Sequence, residues 1–523
     1  MPIPVIDIFA GPGGLGEGFC ALQNDDMQRI FKIVLSVEKD IFAHQTLSLR
    51  SFFRQFEPNN IPDDYYKFLK GEIEANVLYS RWPIQAENAK KEALLATLGE
   101  DKDAISNNVL DKKILEALHG EQNWLLIGGP PCQAYSIVGR SRRKEKILDE
   151  SKDERVGLYK QYLRILAVHN PAIFVMENVK GLLSAKTKDS SVFSKILQDL
   201  SDPAEVYREE YRTNGIDITC PGYKIYSVTV KPRSKDIQGK PIFKQKDFII
   251  HSEKFGIPQA RHRLIMLGIR NNIDLIPEIL QTEEQIPISQ VILGLPKLRG
   301  ALSKCKDSGV KWKETIQAIN QSNLLLGIDP TVKAEIFKNL ENIPIPLNET
   351  GAEYLQSEDI RCNYQREWFL DLNLNGICNH SARSHMGSDL LRYFFVSCYA
   401  KVKKYSPKLE DFPVALLPKH KNVNEGINEN KFGDRFRVQL WDRPSKTITS
   451  HIAKDGHYYI HPDPTQCRSF TVREAARIQT FPDNYYFCGP RTEQFHQVGN
   501  AVPPLLAKKI AIIVKNIFDN LVR

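Results

Sequence analysis

Cys132 stands in Gly128-Gly129-Pro130-Pro131-Cys132-Gln133, directly after the apolar run Trp124 to Ile127. Two prolines restrict the backbone ahead of it and would hold the thiol in one direction. The thiolate is the reactive form of cysteine, and a cationic setting favours it. Arg140, Arg142, Arg143, Lys144 and Lys146 follow closely and could supply that setting or grip phosphates. An arbitrary cysteine is usually a small buried hydrophobe, but the Pro-Pro frame at a strand end argues for a nucleophile. A second segment, Asp7-Ile8-Phe9-Ala10-Gly11-Pro12-Gly13-Gly14-Leu15-Gly16, carries G-x-G-x-x-G just past a strand-like run. Such glycines permit a tight strand-to-helix turn and close backbone approach to a ligand. Glu38 lies 22 residues beyond Gly16 at the end of the next strand-like run, where an acid can accept hydrogen bonds from two ribose hydroxyls. By itself the turn fits a nicotinamide nucleotide, S-adenosylmethionine, or plain packing of strand on helix.

These groups need elements to position them. Ile3 to Phe9, Phe31 to Val37, Trp124 to Ile127 and Ala172 to Met176 read as short buried strands. Leu15 to Leu22 and Leu158 to Val168 have helical apolar spacing, the latter stopped by Asn170-Pro171. Short apolar strands alternating with helices predict a parallel α/β sheet. The polar, Lys- and Glu-rich stretch 61–120 reads as a peripheral helical insertion. From about Gln290 to Lys446 the strand–helix rhythm is lost. Lys401 to Lys446 carries eleven Lys/Arg against six Asp/Glu with aromatics interleaved, as a separate module would. Leu505 to Leu521 reads as a C-terminal amphipathic helix.

The 523 residues suit one large domain with an inserted or appended module, and 42% hydrophobic residues suffice for packed cores. A net charge of +8 is compatible with nucleic acid without requiring it. Nine cysteines with no C-x-x-C pair and no Cys/His cluster at zinc spacing predict neither disulfides nor a metal, and a reducing, intracellular setting. Neither a signal peptide nor a bilayer-long apolar run is seen.

The Pro-Pro-Cys-Gln segment, placed after Phe-Ala-Gly-Pro-Gly-Gly, resembles the DNA (cytosine-5) methyltransferase family of prokaryotic restriction–modification type. The family's further segments follow in order: Glu177-Asn178-Val179, Gln259-Ala260-Arg261-His262-Arg263, Arg473-Glu474-Ala475-Ala476-Arg477-Ile478-Gln479-Thr480-Phe481-Pro482, and Gln497-Val498-Gly499-Asn500-Ala501-Val502-Pro503-Pro504. The resemblance implies a Rossmann-like methyltransferase sheet with a separate, smaller target-recognition domain. The catalytic domain would span 1–289, the recognition module 290–440, and a segment 441–523 would complete the catalytic domain. It implies Cys132 as nucleophile, Glu177 as the acid at ring nitrogen 3, Arg263 at the cytosine carbonyl oxygen, and Arg261 fixing the loop or the DNA backbone. S-adenosylmethionine, without a metal, would be held by Phe9, Gly11, Gly13, Gly14, Leu15, Glu38, Pro131, Asn500 and Val502. Gly71-Glu72-Ile73 resembles the family's Gly-Asp-Ile segment. Candidate DNA contacts in the module are Arg383, His385, Arg392, Lys419, Lys421, Arg435 and Arg437.

The implied enzyme is a cytoplasmic, nucleoid-associated monomer acting on double-stranded DNA. It would share its site with a restriction endonuclease without forming a stable complex with it. An RNA (tRNA) cytosine-5 methyltransferase is the alternative, disfavoured by the large basic module. A nicotinamide-dependent oxidoreductase would leave Pro-Pro-Cys-Gln and Glu-Asn-Val unexplained. A catalytically silent DNA-binding relative would not need Cys132, Glu177 and Arg263.

Overall fold

The computed structural model describes residues 1–58, 60–99, 103–131, 154–185, 191–211, 218–321, 323–341, 343–419, 423 and 433–521. Cys132, Arg140, Arg142, Arg143, Lys144, Lys146 and Lys421 lie outside the described residues. The chain forms two compact units, one from residues 1–60, 82–284 and 501–523, the other from 61–81 and 285–500.

The first unit contains β1 (Ile3–Ile8), β2 (Phe31–Glu38), β3 (Ala93–Leu95), β4 (Leu125–Gly128), β5 (Ile173–Val179), β6 (Tyr223–Tyr226), β7 (Ser234–Lys235), β8 (Pro241–Ile242), β9 (Ile249–His251), β10 (Gln259–Ala260) and β11 (His262–Arg270). Its main sheet runs β3-β2-β1-β4-β5-β11-β6, with β9 also on β11. The strands from β1 to β5 are mutually parallel, whereas β11 is antiparallel to β5, β6 and β9. Parallel strands are covered on both faces, which is why they read as continuous apolar runs. Ile6, Ile8, Leu35, Val37, Leu126, Phe174 and Met176 share a core with the helices Asn107–Leu118, Glu154–His169 and Val192–Ser201. The C-terminal helix Pro504–Leu521 buries Leu506, Ile510, Ile513, Val514 and Ile517, an apolar stripe at helical spacing. It lies so close to the helix Gly14–Cys20 that a side chain at Gly18 would meet the Pro504 carbonyl oxygen at 2.3 Å.

The stretch 61–120 is not the single peripheral insertion expected from its polarity. Residues 61–81 pack in the second unit. Ala93–Leu95 is the edge strand β3 on β2, and Leu110, Ile114 and Leu118 enter the sheet core. A three-residue strand is too short for any alternation to register, and its surroundings hid it. Gly71-Glu72-Ile73 therefore lies in the second unit and stands at the end of no strand of the main sheet.

In the second unit the helices Gly309–Gln317, Pro330–Glu341 and Gly387–Lys403 enclose Trp312, Ile316, Val332, Ile336, Tyr393, Phe394 and Phe395, joined by Phe412 and Phe436. The unit's long segment begins at Gln285, and the chain returns to the first unit at Ala501, later than the expected return at 441. Two arginines explain the difference. Arg473 donates to the carbonyl oxygens of Cys378, Pro482 and Tyr485, and Arg477 to those of Val291 and Arg361. These bonds tie 470–485 to 285–380. Among the described residues no helix is long and apolar enough to cross a membrane.

Candidate active site

Strands β1, β2, β4 and β5 end at Ile8, Glu38, Gly128 and Val179, so their carboxyl ends form one edge of the sheet. Ligands of open α/β sheets sit beyond such an edge. The glycine turn follows β1 there. Phe9, Gly11 and Gly13 adopt positive φ of 57°, 58° and 92°, and Gly13 precedes the helix that starts with buried Gly14 and Leu15. A Cβ on Gly11 would meet nothing within 4 Å, so the turn borders open space. Glu38 is fixed by three backbone N–H groups: Gly11 donates to Oε2 at 2.7 Å, and Lys39 and Asp40 donate to Oε1 at 2.9 and 2.8 Å. A carboxylate has about four lone-pair positions, so capacity remains for a ligand hydroxyl. Pro131 closes the described part of the loop after β4.

Asp7 lies under this turn, 1% exposed, and its Oδ1 has no hydrogen-bond partner among the described residues. Burial, opposed by Arg54, pushes its carboxyl up from 3.8 to about 8. The folded state therefore holds a proton that the unfolded chain has already released. That stabilisation is complete below pH 4 and is lost as pH rises through about 8, at about 1.4 kcal/mol per pH unit. Asp7→Asn cannot ionise. Its stability relative to the wild type should rise steadily between pH 5 and 8 in thermal unfolding, and a flat difference would mean Asp7 is ionised in the fold.

Arg263 Nε and Glu177 Oε1 are 3.0 Å apart, with side chains 15% and 13% exposed. Sheet register makes the pair. Because β11 runs antiparallel to β5, Arg263 stands opposite Val179 and Ile265 opposite Glu177, which leaves Arg263 and Glu177 diagonal on one face. Burial lowers the Arg263 pKa, and the Glu177 charge opposes that shift. Arg261 is a buried side chain; its backbone N–H donates to Ser252 Oγ at 3.0 Å, and that hydroxyl donates to the Gln259 carbonyl at 2.6 Å. Arg261 thus belongs to the interior of this turn and is no solvated surface arginine.

The start of the cysteine loop reaches Glu177. A Cβ at Gly129 would lie 3.1 Å from Glu177 Oε2, so a residue without a side chain permits the approach. Asn178 Nδ2 donates to the Pro130 carbonyl at 3.1 Å, while Asn178 Oδ1 accepts from the Val179 N–H at 2.9 Å. One side chain therefore fastens the Pro-Pro frame to β5. The sequence placed Asn178 inside a motif without giving it this task.

Several basic side chains nominated as DNA contacts turn inward. His385 and Arg392 are buried, and Arg392 donates to the Leu416 carbonyl at 2.8 Å and to Asp389 at 2.7 Å. Arg383 donates to the Ile452 carbonyl at 2.8 Å and stacks on Phe495 at 4.5 Å, and burial lowers its pKa to about 10. Structure-forming duties within the unit explain these three positions. Lys419 is exposed, Arg435 reaches Asp455 at 3.5 Å, and Arg437 lies 4.8 Å over Tyr458 while pairing with Asp434.

The profile of C-5 cytosine-specific DNA methylases matches residues 92–212 and 243–516. The chain belongs to this family. It is a DNA (cytosine-5-)-methyltransferase of the restriction–modification type. The type II methyltransferase M.Bpa9945I of Bacillus paralicheniformis is 32% identical over 98% of this chain and 99% of its own length. M.DdeI of Desulfomicrobium norvegicum, another type II methyltransferase, is 24% identical over 99% and 89%. The DNA (cytosine-5-)-methyltransferase M.ApeKI of Aeropyrum pernix is 27% identical over 77% and 83%. DNA methylases of this family take their methyl group from S-adenosylmethionine. The open glycine turn and the oriented Glu38 carboxylate fit its adenosine portion. Of the two C-terminal positions expected to meet the cofactor, Asn500 ends the helix Arg491–Asn500 in the second unit and Val502 belongs to the first.

Proposed function

We propose that this methyltransferase modifies carbon 5 of cytosine in one double-stranded sequence through a covalent adduct on Cys132. The observation that carries this reading is the Glu177–Arg263 pair beside Gly129, at the root of the cysteine loop. Carbon 5 of cytosine is a poor nucleophile. Addition of the Cys132 thiolate to carbon 6 turns the ring into an enamine, which makes carbon 5 nucleophilic. Charge then builds on the ring, and Glu177, having taken up a proton as the base binds, donates it at nitrogen 3 and recovers it after methyl transfer, while Arg263 holds the carbonyl oxygen. S-adenosylmethionine supplies the electrophilic methyl group when bound. Phe9, Gly11, Gly13, Gly14, Leu15, Pro131 and Val502 would line its pocket, and Glu38 would hold its ribose. After transfer, loss of the carbon-5 proton lets the Cys132 sulfur leave with the bonding electrons.

Carbon 6 is inaccessible in a base stack, so the cytosine must be extruded. The basic stretch after Cys132 suits closure over it. Residues 290–440 serve as the target-recognition module, with Lys419, Arg435 and Arg437 as contacts to phosphate or base. The biological role is protection of host DNA from a restriction endonuclease of the same specificity, by a cytoplasmic monomer that needs no stable complex with it.

Bisulfite sequencing of DNA from cells expressing the chain should show one protected cytosine in one recurring sequence. Purified enzyme should methylate duplex DNA and leave transfer RNA unmodified. Activity on transfer RNA alone would overturn the assignment.

A further inference from the structure

Three side chains converge at the open end of the β9–β11 ladder. His251 on β9 stands directly opposite His262 on β11, and Glu253 follows in the turn Ser252–Phe255. His262 Nε2 is 3.2 Å from His251 Nδ1 and 2.9 Å from Glu253 Oε1, and His251 Nδ1 is 3.8 Å from the same oxygen. Among the described residues no other trio of His, Cys, Asp and Glu ligand atoms gathers in this way.

Hydrogen bonds alone do not satisfy the trio. His262 Nε2 offers either one hydrogen or one lone pair. If it carries the hydrogen, the lone pairs of Glu253 and His251 compete for that single proton. If it carries the lone pair, it can accept from His251 but then faces the carboxylate lone pairs of Glu253. Either one proton is shared between two acceptors or two lone pairs meet at close range. Glu253 Oε2 is moreover buried without a hydrogen-bond partner among the described residues.

We propose that His251, Glu253 and His262 bind a zinc ion. Metal–ligand bonds of about 2.0–2.1 Å at tetrahedral angles put ligand atoms about 3.3–3.4 Å apart, and the three separations here are 2.9, 3.2 and 3.8 Å. The two imidazole rings stand 4.1 Å apart with their planes tilted by 54°, so binding one cation turns both rings to aim their lone pairs at it. The His251 and His262 side chains are 41% and 26% exposed, which leaves a fourth position for water. Two imidazoles select a borderline-soft cation over magnesium or calcium. Lys180 and Lys254 add positive charge near His251, so affinity must come from direct bonds and not from the surrounding field. His262 lies between Arg261 and Arg263, so its side chain leaves the strand on the other face. The ion would brace β9 against β11 behind Arg263 in a positioning role. The ligands are spaced His-x-Glu-x8-His, with no cysteine, a pattern that carries no metal signal in the sequence.

The full chain, stripped with EDTA, should be titrated with zinc chloride against a chromogenic chelator. One equivalent should be bound that His251→Ala/His262→Ala lacks, and Glu253→Gln should weaken it by at least about tenfold. Cobalt(II) in the wild type should give a four-coordinate spectrum without thiolate charge-transfer bands, which separates this site from the cysteines. Zinc should also raise the melting temperature of the wild type and not of the double variant. Absence of zinc uptake by the wild type, or a thiolate signature in its cobalt spectrum, would overturn the proposal whether or not the variants fold.

Discussion

Cys132→Ser is expected to lower methyl transfer by on the order of 10⁴-fold or more and to leave S-adenosylmethionine binding at the wild-type level. The substitution changes one atom and very little volume, so the fold has no reason to respond. What it removes is the thiolate. A serine hydroxyl stays protonated near neutral pH, and even in a cationic setting it cannot add to carbon 6 at a useful rate. The frame around the residue is set elsewhere. Asn178 fastens the Pro130 carbonyl, and Gly129 packs on Glu177. Glu38 is held by the backbone N–H groups of Gly11, Lys39 and Asp40. Single-turnover transfer of labelled methyl groups to duplex DNA, beside calorimetric cofactor titration, separates the two effects. Turnover near the wild-type rate would remove the covalent route. Loss of cofactor affinity together with turnover would mean that Cys132 shapes the pocket and is no pure nucleophile.

The parts of this protein that were legible in the sequence are those whose signal is local. Ile3–Ile8 followed by the glycine turn, Phe31–Glu38 ending on an acid, and the stripe of Pro504–Leu521 each carry their pattern within a few residues. The Glu177–Arg263 pair was readable only as two motifs. Their meeting depends on an antiparallel register between strands more than eighty residues apart, which no local pattern encodes. Charge misled at Arg392 and His385. A basic residue in a basic stretch looks like a DNA contact, yet a buried Asp389 and a buried carbonyl at Leu416 create an interior need that composition cannot reveal. The same limit explains the helix near residue 475. Its arginines read as a family signature, while three of their partners, the carbonyls of Val291, Arg361 and Cys378, lie far away in sequence.

Glu474→Gln is expected to destabilise the second unit by about 3–5 kcal/mol at neutral pH, the range for breaking a buried ion pair from one side. Glu474 and Arg468 are each 1% exposed. Arg468 Nη1 and Nη2 donate to Glu474 Oε2 and Oε1 at 2.6 and 2.7 Å, a two-pronged contact. Oε2 also accepts from the Thr471 N–H at 2.8 Å, while the Glu474 N–H donates to Thr471 Oγ1 at 3.1 Å, closing a capping box at the start of Val472–Ile478. Glutamine keeps the shape but turns an amide NH₂ toward Arg468 or Thr471, leaving a guanidinium charge buried without its counter-charge. Burial alone would raise the Glu474 pKa, but Arg468 and His461 outweigh it and hold the carboxyl far below its ordinary 4.5. The folded pKa is depressed, so this contribution is complete above pH 4.5 and declines as pH falls. The gap between wild type and variant should therefore narrow in acid. Denaturant unfolding at pH 7 and at pH 3.5 measures both. Arg468→Met combined with Glu474→Leu removes both charges and should cost less than Glu474→Gln alone, because no ion is left stranded. If the double variant loses as much as the single one, the stability resides in the Thr471 cap and not in the ion pair.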